Sequence, residues 1–128
     1  MGVQTATPPL VVAPGAPLTG RNAYMVFFDW DAHNITPVGV QVIGRPADQY
    51  NAAGHVWLDV SGYTDLSDLA AYNERLSERR ANAVADALVR LGVPHSETAV
   101  SGRGIDSPLI PTAPGVREPK DRRVEIVS

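Results

Sequence analysis

The chain has 128 residues, a mass of 13.7 kDa, 44% hydrophobic residues and a formal net charge of -3, enough for one hydrophobic core and too little for two ordinary domains. A pI near 5.5 supplies no clustered basic face for nucleic-acid phosphates, and the lack of cysteine excludes disulfides, thiolate metal sites and cysteine nucleophiles. The apolar run Pro9 to Val12 is far shorter than a membrane span, so no direct membrane insertion by this chain is expected.

Residues 1–20 hold Pro8, Pro9, Pro14 and Pro17 among Ala, Thr and Gly, and read as a flexible Pro-rich tail or linker ahead of one domain at 21–128. Tyr24 to Phe28 is an aromatic and β-branched run closed by the polar stretch Asp29 to Asn34, the pattern of a buried strand. Thr36-Pro37 reads as an N-cap followed by proline at the first helical position. The helix that begins there extends to about Ala53, with Gly39, Gly44 and Pro46 expected to kink or interrupt it. Gly54 ends it, and His55 to Tyr63 alternates Val56, Leu58 and Val60 with Trp57, Asp59 and Ser61, a second strand.

From Ser67 or Asp68 as N-cap, helix-forming residues run without Gly or Pro to Leu91, where Gly92 and Pro94 supply the stop. Thr98 to Gly102 and Arg122 to Val127 read as two further strands, the first completing a β-α-β unit. The connection between them, with Pro108, Pro111, Pro114 and Pro119, reads as loop, with a short helix as the alternative.

On the long helix, Leu69, Tyr72, Leu76, Ala83, Ala87 and Leu91 step by three and four and are expected to face the sheet. Asn73 and Arg80 fall within about 20° of one another near the centre of that stripe. A desolvated guanidinium costs on the order of several kcal/mol unless paired, so Arg80 requires an anion or a polar cavity. Asp65, at the end of the second strand, is the nearest carboxylate in sequence. Two readings stay open on spacing alone. Asp65 and Arg80 form an internal salt bridge that fixes the corner, or they face a pocket at the carboxyl ends of the strands and grip a zwitterion, ammonium on Asp65 and carboxylate on Arg80.

Four motifs in order bear on that choice: Gly62-Tyr63-Thr64-Asp65, then Tyr72-Asn73-Glu74-Arg75-Leu76-Ser77-Glu78-Arg79-Arg80-Ala81, then Gly102-Arg103-Gly104 with Pro108, then Arg122-Arg123-Val124-Glu125-Ile126. Together with Phe27-Phe28-Asp29-Trp30-Asp31, the chain resembles the OmpA-like peptidoglycan-binding domain over roughly residues 24–127. The resemblance implies an α/β fold of the α+β kind, a β-α-β-α-β-β sandwich with a mixed four-stranded sheet and two main helices on one face. It implies non-covalent binding of the peptidoglycan stem peptide, with Asp65 and Arg80 on the ammonium and carboxylate of meso-diaminopimelate and Asn73, Leu76 and Asp31 beside them. Trp30 and His33 match positions that contact the ligand more variably, and Arg122 and Thr64 match positions that support the pocket. Location in the periplasm, tethered to a membrane anchor outside this chain, follows from the same resemblance. A homodimer stays open. The chain departs from the family pattern at Asp68 for Gly, Tyr63 for His and Asp121 for Asn.

Other chemistries find less support. His33, His55 and His95 lie on three different elements with no metal-ligand spacing, so neither metal nor cofactor is expected. Ser61, Ser67 and Ser101 lack a nucleophile elbow or base, and Asp59, Asp65 and Asp68 lack the convergence a hydrolase acting on peptidoglycan needs, so no catalysis is expected. A structural or protein-interaction module of the same fold, with Asp65 and Arg80 as its salt bridge, is the alternative function.

Overall fold

Alternation along three strands puts Tyr24, Val26, Leu58, Val60, Val124 and Ile126 on one side of a sheet, and both helices pack there. The computed structural model describes residues 17–18, 21–53, 57–106 and 108–128. In chain order these form β1 (Pro17–Leu18), β2 (Arg21–Phe27), α1 (Pro37–Ala53), β3 (Leu58–Gly62), α2 (Ala70–Arg90), β4 (Thr98–Gly102) and β5 (Arg123–Val127), with 3-10 turns at His95–Glu97 and Pro119–Asp121. The strand order is β1-β2-β5-β3-β4. β5 runs antiparallel to both β2 and β3, while β3 and β4 are parallel on either side of α2. The expected mixed four-stranded sheet with two helices is present, with the two-residue β1 added at the β2 edge. The tail reading of residues 1–20 lies outside the described residues apart from β1, as do Gly54 and His55. Among the described residues no helix is long and apolar enough to cross a membrane.

Thr36 caps α1 as its sequence implies, its Oγ1 accepting the Gly39 N–H at 3.1 Å. Of the kink or interruption expected at Pro46, the interruption does not occur: the helix runs on through that residue to Ala53. Ile43, Pro46, Ala47 and Tyr50 are all buried, so packing on the core outweighs the hydrogen bond that Pro46 forfeits.

α2 begins later than its sequence implies. Leu69 occupies the N-cap position with no side-chain cap, because the Ser67 hydroxyl is turned back to Asp65. The helix ends as foreseen, with Gly92 at φ 100 and the Val93 N–H returning to Leu88 O at 2.9 Å. Its buried face is rotated from the expected stripe: Leu69 and Leu91 are exposed, while Asn73, Leu76, Ser77, Arg80, Ala81, Val84 and Leu88 are buried. Small residues on this face let α2 settle directly onto the ends of β3 and β4. A Cβ at Gly62 would stand 2.0 Å from Ser77 O, and one at Gly102 would stand 2.7 Å from the Glu78 nitrogen. Gly62→Ala is therefore expected to lower stability in urea unfolding by about 2–3 kcal/mol through enforced displacement of α2. Wild-type stability in that variant would contradict the close seating of the helix.

Candidate ligand-binding site

Four segments meet at one end of the sheet: the turn after β2, the turn after β3 with the start of α2, and the last part of the β4–β5 connection. The side chain at their centre is Arg80, fully buried. Its position on α2 aims the guanidinium at loop backbone that no helix or ladder satisfies. Nε donates to Ala32 O at 2.7 Å, Nη1 to Tyr63 O at 3.1 Å and Nη2 to Asp29 O at 3.1 Å. The Phe28 ring lies 5.3 Å from its Cζ. Burial pushes the Arg80 pKa down to about 10, opposed by the field of Asp65, so the group stays charged at neutral pH.

Asp65 has a different set of partners. Its Oδ1 accepts the Ser67 hydroxyl at 2.6 Å and the Ser67 N–H at 3.1 Å. Its Oδ2 accepts the Glu118 N–H at 3.0 Å and Arg122 Nη1 at 3.2 Å. Arg122 also donates through Nε to Phe28 O, so it ties the turn after β2 to the turn after β3. The internal salt bridge held open for Asp65 and Arg80 is not formed: among the described residues the ion pair of Asp65 is with Arg122. Three loop carbonyls draw the Arg80 head away, and Arg122 arrives from the opposite side off the Pro119–Asp121 turn. Burial raises the Asp65 pKa, but the hydrogen bonds from Ser67, Glu118 and Arg122 outweigh it and hold the carboxyl below the usual 3.8.

The remaining expected residues divide. Asn73 is buried and its amide donates to Asp68 O at 2.9 Å, while Leu76 is buried one turn further on. Asp31 has φ 55, the left-handed region, and its Oδ1 accepts the Tyr72 hydroxyl. Trp30 is 41% exposed, and its ring N–H donates to Ser67 Oγ at 3.0 Å. Thr64 Oγ1 is buried with no hydrogen-bond partner among the described residues. His33 stands apart, lining a groove of about 530 Å³ with Ile35, Val40, Asp86 and Arg90 that includes neither Asp65 nor Asn73. No group of three or more His, Asp or Glu among the described residues is arranged to hold a metal ion.

Four contributors carried no role at the site in the sequence, where Ser67 reads as a helix cap and Tyr72 as a core-facing residue. Asp-x-Ser at 65–67 is an Asx-turn signal that could have shown Ser67 as the partner of Asp65. Tyr72, Arg117 and Glu118 have no such signal, since they reach the site only through loop and helix placement.

Two measurements follow from this geometry. Arg80→Lys keeps one charge but cannot reach three carbonyls, so denaturant unfolding should show a loss of about 3 kcal/mol, and a loss below about 1 kcal/mol would refute the three-way grip. Because the folded pKa of Asp65 is depressed, its contribution is complete above the unfolded value of about 3.9 and is lost as pH falls through the folded value. The difference in melting temperature between wild type and Asp65→Asn should hold steady above about pH 5 and shrink below about pH 4.

Comparison with known proteins adds four findings. The model of the OmpA family matches residues 27–122. An outer membrane protein of Gluconacetobacter diazotrophicus is 40% identical over 115 residues, covering 85% of this chain and 30% of that protein. The peptidoglycan-binding protein ArfA of Mycobacterium bovis is 32% identical over 125 residues, covering 89% of this chain and 38% of that protein. The chain thus spans about a third of the length of these relatives. Among solved structures, the peptidoglycan-associated lipoprotein from Burkholderia pseudomallei superposes with a TM-score of 0.74 at 24% identity, covering 80% of this chain and 87% of that one, a likeness of fold.

Proposed function

The chain belongs to the OmpA family, and from that footing we propose that it binds peptidoglycan non-covalently, through the diaminopimelate of the stem peptide, without cleaving it. The observation that carries this reading is the pairing at one sheet end of a carboxylate held ionised and a buried guanidinium that are not bonded to each other. A zwitterionic amino-acid centre is the ligand that such separated charges match, its ammonium toward Asp65 and its carboxylate toward Arg80. Arg80 has five N–H donors and spends three on carbonyls, leaving two uncommitted on a side chain that is fully buried. The unpartnered Thr64 hydroxyl beside Asp65 is a further polar group for a ligand to satisfy.

The names borne by relatives, outer membrane protein and peptidoglycan-binding protein, support a role in joining a membrane-tethered protein to the cell wall in the periplasm. In this reading Asn73, Leu76, Asp31 and Trp30 line the ligand, Arg122 and Thr64 set the loops around it, and His33 lies at the margin. Co-sedimentation with purified sacculi tests it. Wild type should sediment with diaminopimelate-containing sacculi and at least about tenfold less with lysine-containing sacculi, because lysine lacks the distal carboxylate. Asp65→Asn, shown folded by circular dichroism, should lose sedimentation with diaminopimelate-containing sacculi, because it removes the charged acceptor for the ammonium. Equal sedimentation on both walls would defeat the zwitterion reading, and muropeptide release would defeat the non-catalytic one.

A further inference from the structure

The β4–β5 connection brings a further guanidinium to this corner, besides those of Arg80 and Arg122. Arg117 is exposed, and its Cζ lies 3.5 Å from the centroid of the Trp30 ring. Among the described residues no hydrogen bond or ion pair engages its nitrogens. Stacking on an aromatic face restrains a guanidinium while leaving its in-plane N–H donors available.

Both halves of this stack are wired to Asp65. The Trp30 ring N–H donates to Ser67 Oγ, which donates to Asp65 Oδ1, and the residue after Arg117 donates its backbone N–H to Asp65 Oδ2. The Gly115 N–H, bonded to Leu66 O at 2.7 Å, pins the same loop over the turn after β3. Besides Arg122, which is bonded to Asp65 and Phe28 O, the corner therefore holds two cations of different character. Arg80 is buried and largely committed to backbone carbonyls, whereas Arg117 stands at the rim with its donors free.

We propose that Arg117 is a second anion-binding group of this site, held against Trp30 to receive a carboxylate of the ligand outside the zwitterionic centre. The inference rests on the peptidoglycan reading above. Stem peptides present such carboxylates on the residues flanking the distal amino-acid centre, and a guanidinium takes a carboxylate through two parallel hydrogen bonds. Amidation removes that charge, so Arg117 sets a preference for stem peptides whose flanking carboxylates are free. A purely structural Arg117 would act through the stack and affect every ligand alike.

Calorimetry on the intact chain separates these roles. The probes are alanyl-γ-glutamyl-diaminopimelate and the same tripeptide amidated at its glutamate and peptide-linked diaminopimelate carboxylates, with the distal amino-acid centre intact. Wild type is expected to bind the free form roughly three- to tenfold more tightly than the amidated form. In Arg117→Gln the preference should fall below about twofold, with affinity for the amidated peptide unchanged from wild type. Equal weakening of both peptides, or a preference retained in Arg117→Gln, overturns the proposal. Wild type that binds both peptides equally overturns it alone, whereas wild type that binds neither peptide and no sacculi overturns the peptidoglycan reading as well.

Discussion

The buried guanidinium of Arg80 is the constraint around which this end of the molecule is arranged. Two turns, one after β2 and one after β3, expose carbonyls of Asp29, Ala32 and Tyr63 that no ladder or helix satisfies, and one side chain from α2 reaches all three. Asp29 O also accepts the Ala32 N–H at 3.2 Å, but the bond from Arg80 to Tyr63 O is buried, where an unpaired carbonyl costs about 1–3 kcal/mol, so the turn after β3 depends on α2 staying seated. The seating depends in turn on Gly62 and Gly102, where any side chain would meet the helix backbone or its first side-chain atoms. Sheet end, helix position and turn conformation thus form one interdependent unit.

Asp65 organises the neighbouring half of the corner through side chains and backbone N–H groups of three residues, Ser67, Glu118 and Arg122. Its network and that of Arg80 touch the same two turns but share no hydrogen bond. Arg122 links them, donating to Phe28 O on one side and Asp65 on the other. Two opposite charges are thereby kept within each other's field without collapsing onto each other, the condition for either to meet a ligand.

Most of the architecture was legible from residues alone. An aromatic and β-branched run located β2, period-two alternation located β3, and the Thr36-Pro37 start of α1 and the Gly92 stop of α2 were readable because each signal is local. The continuity of α1 across Pro46 was not legible, since it depends on burial against strands distant in sequence. The phase of α2 was misjudged for a related reason: Leu69 and Leu91 are apolar yet exposed, while Ser77 and Ala81 are small enough for close approach. At the site, spacing singled out Asp65 and Arg80, but not their partners. Carbonyl acceptors have no residue signature, and Arg117 and Glu118 sit in a proline-rich loop without periodicity.

The register of β2 with β5 has a mechanical consequence. Ala23 pairs with Val127 at one end of the ladder and Phe27 with Arg123 at the other, so the start of β2 and the end of β5 lie together, opposite the corner that holds Asp65 and Arg80. Tension passing between that corner and either flank of the domain runs lengthwise along these strands. Their five paired positions then resist it in shear, all at once, rather than peeling apart one after another. On the proposed reading, a wall polymer held at that corner and a pull at the opposite end load all five pairs together.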